Sequence, residues 1–396
     1  MTTTRRTLAF LLLAVALLAQ GAPAQTPAGP VHYVIPPDTE NPGLDGVAMD
    51  GAGNMTFLFT IPIFEGTFRE EAYIRRFSAT DTPLGPAVRL GPATVSTNGG
   101  SIAANQRGDV VFTWSRASGG STSYFLRRTS PVLGTLTLPI KGLADVAVDN
   151  NGNFVVIWGS GGEVLGQRYN ADGTKRGPEF NAATSRAGTK ISPSVAMNPS
   201  TGEFVVVWEV REAGSEGTLP ASVRGQRFGF FTGRQGSELV VYTRPVSEPS
   251  SIISFYAPDV ARANNGGFVV VWRTDFGRDV LGQRYNNEGV PLGGRLVIAA
   301  SAGIPDGRPH IAMAPNGRFV VSWDDQGTSP QWFRLFRPNG TPWGPVLVEP
   351  PFDGAPYNGS GRVAFGRNDS FVIGWTNYND EGDLGNTISF HRFLVP

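Results

Sequence analysis

One short segment occurs seven times along this chain, and no other feature of the sequence constrains the fold as strongly. Each copy joins a few apolar residues to a turn rich in Asn, Asp and Gly, followed by a second apolar run that usually ends in Trp. The copies begin near residues 46, 101, 145, 194, 259, 310 and 362. A repeat of about 50 residues with strand and turn signals is typical of a ring or stack of small sheets.

The composition agrees with an all-β chain that is not a nucleic-acid-binding protein. Of the 396 residues 40% are hydrophobic, and the 51 Gly and 31 Pro are spread over turn positions of the repeats. This distribution indicates many short strands. The chain has 33 Lys and Arg against 33 Asp and Glu, so it lacks the basic surface that nucleic acids require. Because there is no Cys, packing must stabilise the fold without disulfides.

Residues 1–24 have the pattern of a secretory signal peptide. Arg5 and Arg6 precede an apolar run over 8–19, and Ala22-Pro23-Ala24 supplies the small residues of a cleavage site. The run is shorter than the roughly 20 residues needed to span a bilayer. We therefore expect cleavage after Ala24 and an exported mature chain, 25–396, without a membrane span, in the periplasm or outside the cell. The arginine pair leaves Sec and twin-arginine export as alternatives.

The copy that begins at Asp145 predicts four antiparallel strands. A short strand over 145–148 precedes the turn 149–153, and 154–158 is a continuous apolar strand. Such a run without alternation indicates burial on both faces of a sheet. Two further strands, 164–169 and 178–181, flank the turn Asn170-Ala171-Asp172-Gly173. Seven such units predict a seven-bladed β-propeller.

The two ends of the mature chain predict how the ring closes. The last copy supplies only three strands before Pro396, whereas 31–35 is a strand without a blade of its own. We expect 31–35 to lie antiparallel beside the strand that contains Phe390 and Phe393, as the outer strand of the last blade. This pairing would remove an unpaired sheet edge.

Two recurring residue types predict how neighbouring blades pack. The second strands end in an indole that we expect to be buried between blades, at Trp158, Trp208, Trp272, Trp323 and Trp375. Arginine precedes an aromatic residue on the third strands, at Arg76, Arg168, Arg227, Arg284 and Arg392. We interpret these arginines as bridges to backbone carbonyls or carboxylates of the adjacent blade. A ring of cations for an anionic ligand is the alternative.

The repeat resembles a family of bacterial extracellular β-propeller repeats with the pattern VAM-x(3,4)-G-x-FVVVW followed by GQRY. The matching third-strand motifs are 166–169, 225–228 and 282–285. The resemblance covers nearly the whole mature chain and implies the propeller fold. It implies no activity, because such repeats are similar to scaffolds in proteins mostly of unassigned function.

The sequence has no motif for a specific chemistry. It lacks a G-x-S-x-G elbow, H-E-x-x-H, a P-loop and a cysteine nucleophile. The turn 149–153 resembles a calcium loop, but its counterparts in other copies lose the carboxylates that Ca²⁺ needs, and hairpin turn chemistry explains the same residues. We therefore assign no catalytic residue, no metal site and no cofactor.

The long loops of the ring are the candidate binding surface. The second-to-third-strand loops and the loops between blades open on the same face, which we call the long-loop face. Long loops on a rigid scaffold are where binding concentrates. The candidate ligand-binding residues there are Glu209, Asp275, Asp324, Asp325, Asp380, Asp383, Tyr256, Arg308 and Tyr357.

The function that follows is non-catalytic binding by an exported monomer. The expected ligand is a glycan, an envelope polymer or a protein. A hydrolase or lyase that acts on saccharide with loop carboxylates is one alternative, because a pair of carboxylates suffices for acid–base work. A structural or adhesive module is the other.

Overall fold

The chain folds into seven four-stranded antiparallel sheets, the blades of a β-propeller, as the sequence predicts. The computed structural model describes residues 26–35, 41–64, 68–92, 94–118, 120–129, 134–140, 142, 144–186, 188–211, 222–245, 257–274, 279–300, 308–323, 331–349, 357–366, 369–378 and 387–395. Within these residues there are no helices, and hence none that could span a membrane.

Six blades are built from consecutive strands. Blade 1 contains β3 (Gly43–Met49), β4 (Met55–Ile63), β5 (Arg69–Phe77) and β6 (Val88–Arg89). Blade 2 contains β7 (Ser96–Ala104), β8 (Val110–Ser118), β9 (Ser121–Arg128) and β10 (Leu136–Leu138). Blade 3 contains β11 (Ala144–Val148), β12 (Phe154–Ser160), β13 (Glu163–Tyr169) and β14 (Lys175–Asn181).

The next three blades repeat this order. Blade 4 contains β15 (Thr189–Met197), β16 (Phe204–Arg211), β17 (Ser222–Gly229) and β18 (Gly233–Thr243). Blade 5 contains β19 (Asp259–Arg262), β20 (Phe268–Arg273), β21 (Val280–Tyr285) and β22 (Leu296–Ala299). Blade 6 contains β23 (His310–Met313), β24 (Phe319–Trp323), β25 (Gln331–Phe336) and β26 (Leu347–Glu349).

Blade 7 joins both ends of the chain, which confirms the predicted closure. Its strands are β27 (Tyr357–Phe365), β28 (Ser370–Tyr378), β29 (Thr387–Leu394) and the N-terminal β1 (Thr26–Pro27) and β2 (His32–Tyr33). Both N-terminal strands pair antiparallel with β29, so that His32 lies opposite Phe390 and Pro27 lies opposite Phe393. The outer strand is therefore interrupted, whereas the sequence predicts a single strand over 31–35.

The apolar second strands form the packing layers between blades. In β12, Val155 and Ile157 pack towards blade 4, whereas Phe154, Val156 and Trp158 pack towards blade 2. Each of these strands thus needs apolar residues on both faces, which explains the unbroken apolar run. The predicted indoles are buried as expected, with exposed fractions of 0–6% at Trp158, Trp208, Trp272, Trp323 and Trp375.

Carboxylate and amide side chains organise the first turn of the blades. Asp149 Oδ1 accepts hydrogen bonds from the backbone N–H of Asn151 and of Asn153, each at 2.8 Å. Gly152 takes a positive φ of 81° in the same turn, a conformation that glycine adopts without a steric penalty. The Asp149 carboxylate therefore stabilises a turn, and this role explains why the segment 149–153 resembles a calcium loop in sequence.

Third-strand arginines connect several blades to the next, as the sequence predicts for Arg168, Arg227, Arg284 and Arg392. Arg76, which the sequence also predicts as a bridge, is exposed in blade 1. Arg168 Nη1 donates to the carbonyl of Phe230 at 2.8 Å, and Arg227 Nη1 donates to that of Asn287 at 2.6 Å. Arg284 contacts the Asn339 carbonyl in the same way. The acceptors lie in or beside the third turn of the following blade, so this contact is part of the scaffold.

Candidate functional site

Six of the nine residues that the sequence predicts for the long-loop face lie outside the described part of the chain, namely Asp275, Asp324, Asp325, Asp380, Asp383 and Tyr256. Tyr357 begins strand β27, which lies innermost in blade 7. Glu209 and Arg308 are the two predicted residues whose side chains the structure describes.

Glu209 has a structural environment. It lies within β16, not in a loop, and its side chain is fully buried. Its Oε1 accepts a hydrogen bond from Arg211 Nε at 2.8 Å, and Oε2 lies 3.5 Å from the backbone nitrogen of Ala257. Arg308, by contrast, is exposed and lines the central channel of the ring.

A central channel with a volume of about 830 Å³ runs through the described part of the ring. Its wall consists of the first strand of every blade, which lies innermost. Since each first strand follows a loop between blades, its N-terminal end lies at the long-loop face. A smaller cavity of about 150 Å³, lined by residues such as Met49, Met197 and Phe365, lies among the first turns at the opposite end.

A ring of mostly polar residues surrounds the channel near the long-loop face. These residues occupy the first position of each repeat copy and line the cavity: Gly46, Ser101, Asp145, Ser194, Asp259, His310 and Arg362. We call this set the polar ring. The sequence contains its signal, because this position changes from copy to copy before an otherwise uniform apolar strand. The candidate binding residues predicted from the sequence do not include this position.

Hydrogen bonds link members of the polar ring from one blade to the next. Ser101 Oγ donates to Asp145 Oδ1 at 2.5 Å, and Ser194 Oγ donates to Asp259 Oδ1 at 2.7 Å. Each aspartate also accepts a backbone N–H from the following blade, Asp145 from Val195 at 2.8 Å and Asp259 from Ile311 at 3.0 Å. The carboxylates thus satisfy inner-edge amides that have no strand partner.

His310 lies between an aspartate and an arginine of the polar ring, Asp259 and Arg362. Its Nδ1 is 3.4 Å from Asp259 Oδ2, and its Nε2 is 2.6 Å from Arg362 Nη1. A guanidinium can only donate, so Nε2 accepts and Nδ1 carries the proton. Burial and the charge of Arg362 lower the pKa of His310 to about 4. The imidazole is therefore neutral at pH 7, with both ring nitrogens occupied.

Two carboxyl groups at this end of the channel have pKa values above the usual range. Burial, with a contribution from the charge of Asp259, raises the pKa of Asp145 to about 6. Burial likewise raises the pKa of Asp45, although a hydrogen bond from Thr60 opposes the shift, and the resulting value is about 6. Asp259 behaves in the opposite way, because His310 and Ser194 lower its pKa against the effect of burial.

The long-loop face also presents an exposed aromatic pair. Phe64 and Phe68 flank the tip of the hairpin that joins β4 to β5, with ring centroids 5.4 Å apart. Their exposed fractions are 53% and 58%. The hairpin is held against blade 2, because the amide of Ala72 donates to Thr97 Oγ1 at 2.8 Å. Exposed apolar groups on a fixed support are typical of binding surfaces.

No family model and no curated protein sequence matches the chain. Solved structures are similar to it over nearly their whole length. One is an ulvan lyase, described as a new family of polysaccharide lyase, with 11% identity and a TM-score of 0.57 over 92% of this chain and 95% of that chain.

Two bacterial proteins have a comparable similarity. A Dyadobacter fermentans protein of unknown function has 12% identity and a TM-score of 0.54, over 92% of this chain and 99% of that one. Hydrazine synthase of Kuenenia stuttgartiensis has 12% identity and a TM-score of 0.52, over 89% of this chain and 97% of that one. At this level of identity the similarity shows a shared fold and nothing more specific.

Proposed function

We propose that the protein is an exported, non-catalytic binding protein that takes a glycan into the mouth of its central channel. The observation that carries the proposal is the polar ring at the long-loop end of a cavity of about 830 Å³. This volume is within the range of small-molecule binding sites, about 300–1,000 Å³. A cavity of this kind, with convergent polar groups, is the default binding-site hypothesis in a protein without a catalytic motif.

The chemistry of the wall favours a polyhydroxylated ligand. The Asp145 carboxylate and the remaining lone pairs of the Ser101 and Ser194 hydroxyls supply acceptors, and the guanidinium of Arg308 supplies donors. The inner edges of the first strands add backbone groups of both kinds. Sugar hydroxyls donate and accept in the same way, and Phe64 and Phe68 provide apolar surface on the same face for a sugar ring.

The state of His310 supports binding over catalysis. A general base needs a free acceptor within reach of the proton that it removes. Both imidazole nitrogens are engaged, by Asp259 and by Arg362, so proton abstraction would first require Arg362 to move away. A saccharide lyase or hydrolase is the second candidate, because His310 is neutral at pH 7 and the ulvan lyase shares the fold.

A glycan array followed by calorimetric titration of the purified protein tests this function. We expect at least one glycan to bind, and Arg308→Ala to weaken its binding about tenfold with little change in Tm, because exposed charges contribute little to stability. Arg107→Ala is the matched control, since Arg107 is also exposed but lies in the first turn of blade 2 on the opposite face. Equal losses in the two variants would contradict a site at the channel mouth.

Analysis of the oligosaccharide after incubation distinguishes binding from catalysis. Incubation of a bound oligosaccharide with the protein should return it intact by mass spectrometry. Cleavage with an unsaturated product would favour the lyase, and cleavage with uptake of water would favour the hydrolase.

A further inference from the structure

The polar ring contains the same three-blade arrangement twice. In each copy a serine hydroxyl donates to an aspartate of the next blade, and that aspartate accepts a backbone amide from the blade after it. The first copy is Ser101, Asp145 and the amide of Val195. The second copy is Ser194, Asp259 and the amide of Ile311. The two copies can therefore be compared atom by atom.

The second copy has one hydrogen-bond donor more than the first. Asp259 Oδ1 accepts from Ser194 and from the amide of Val260, while Oδ2 accepts from the amide of Ile311 and faces the Nδ1–H of His310. A carboxylate has about four acceptor positions, so those of Asp259 are used.

Asp145 keeps one acceptor position open. Its Oδ1 accepts from Ser101 and from the amide of Val146, and its Oδ2 accepts from the amide of Val195. The residue equivalent to His310 in the neighbouring blade is Ser194, and the Ser194 hydroxyl points to Asp259 instead. Within the described residues nothing fills the fourth position, at Asp145 Oδ2.

Among the described residues, Asp145 has no basic partner. In this it differs from Asp259 and Asp45, the other two aspartates at this end of the channel. Asp259 faces the imidazole of His310. Asp45 lies in the field of Arg362, whose Nε donates to the Asp45 carbonyl at 2.9 Å. A partly buried carboxylate without a cationic partner carries a free-energy penalty. A ligand that brings a positive charge together with an N–H donor would remove it.

We propose that the polar ring binds a glycan that carries a free amino group, with the ammonium of this amino sugar donating to Asp145 Oδ2. The inference rests on the proposed glycan-binding function and adds the chemical class of the ligand. The ammonium takes the position at Asp145 that the His310 imidazole takes at Asp259. Ser101 and Ser194, which flank Asp145 in the ring, have oxygen lone pairs left for the neighbouring sugar hydroxyls.

The test compares two probes with the same sugar backbone, one with free amino groups and one in which these groups are acetylated and uncharged. A short β-1,4-linked glucosamine oligomer and the same oligomer after chemical N-acetylation are titrated into the full-length protein by calorimetry at pH 7. We expect the free amine to bind at least tenfold more tightly than the acetylated form, with an advantage that shrinks as salt is added, because exposed ionic contacts are screened. This comparison requires no variant, so it remains decisive even where a variant fails to fold.

Two variants then locate the contact. Asp145→Asn should bind the two oligomers with equal affinity, because the charge at the open position is lost. Asp45→Asn is the matched control, since Asp45 lines the same channel but already accepts a hydrogen bond from Thr60 Oγ1 at 2.8 Å, and it should retain the preference for the amine. A preference that survives in Asp145→Asn would overturn the assignment of this residue.

The outcomes separate this inference from the proposed function. Equal affinities in the unchanged protein, with both lowered by Arg308→Ala, would overturn the amino-sugar inference and leave glycan binding intact. Failure of every glycan to bind would overturn both. Binding of a lysine-rich peptide that depends on Asp145, without any glucosamine binding, would overturn the glycan in favour of a basic protein partner.

Discussion

The imidazole of His32 stacks on the ring of Phe390, with centroids 5.2 Å apart and planes inclined by 21°. The two residues come from opposite ends of the chain and lie opposite each other in the ladder between β2 and β29. Phe390 in turn contacts Phe57 and Phe77 of blade 1. The joint between the termini is therefore packed into the core between the last blade and the first.

Removal of residues 25–36 should destabilise the protein by about 4 kcal/mol or more, because burial of a Val or Ile side chain contributes about 1.5–3 kcal/mol. Val34 and Ile35 are 0% and 4% exposed, and the amide of Val34 donates to the Ile388 carbonyl at 2.7 Å. Urea denaturation measures the change. Deletion of 2–24 is the control and should leave stability unchanged. A 25–36 deletion that unfolds with the same midpoint as the control would contradict closure by this segment.

Replacement of Arg392 by Met should cost about 3–5 kcal/mol, the range for breaking a buried ion pair. Arg392 is 4% exposed, and its Nε donates to Asp81 Oδ1 at 2.7 Å across the junction between blades 7 and 1. Arg168→Met is the matched variant in the ring, since half-buried Arg168 holds the carbonyl of Phe230 and, among the described residues, no carboxylate. Its cost should be about 1 kcal/mol. Similar costs in thermal unfolding would show that closure has no special energetic role.

The raised pKa of Asp145 predicts a specific dependence of stability on pH. Between the ordinary value of 3.8 and the folded value of about 6, the folded state binds more protons than the unfolded state. The contribution of Asp145 to stability therefore increases as pH falls from 7 to 4. A shift of one pKa unit corresponds to about 1.4 kcal/mol, so a change of roughly 2 kcal/mol is expected.

Comparison with Asp145→Asn isolates this contribution from that of His310. The pKa of His310 is lowered to about 4, so the unfolded state binds more protons between pH 4 and 6.5, and this group acts in the opposite direction. As pH falls from 7 to 4, the free energy of unfolding of the unchanged protein should increase relative to that of Asp145→Asn. Parallel curves would show that Asp145 titrates normally.

Two buried tryptophans should respond differently to replacement by Phe. Trp375 Nε1 donates to Asn377 Oδ1 at 2.8 Å, whereas Trp272 Nε1 is buried without a hydrogen-bond partner among the described residues. Both indoles are 0% exposed, so the packing losses are comparable. Trp375→Phe should cost about 1–3 kcal/mol more, because it leaves a buried amide oxygen unsatisfied. Equal losses in urea denaturation would contradict the hydrogen bond.

The sequence alone predicts most of the architecture because local rules determine it. Asn, Asp and Gly form the turns, unbroken apolar runs indicate strands that are covered on both faces, and the repeat number equals the blade number. The closure also follows from the sequence, since the last copy lacks a strand that the N-terminus supplies. The bridges from Arg168 and Arg227 also follow from repetition, because each of these blades packs against a following blade with a similar sequence.

Tertiary structure decided which side chains form a site. Ser101, Asp145 and His310 are far apart in the chain, and the polar ring exists because closure brings the first position of every copy to one axis. Glu209 shows the converse, since its place beside a long acidic loop indicates exposure while the strand extension and Arg211 bury it. Burial and charge pairing depend on which blade stands next to which, so the number and order of blades follow from local sequence, and the chemistry of the channel follows from the closed ring.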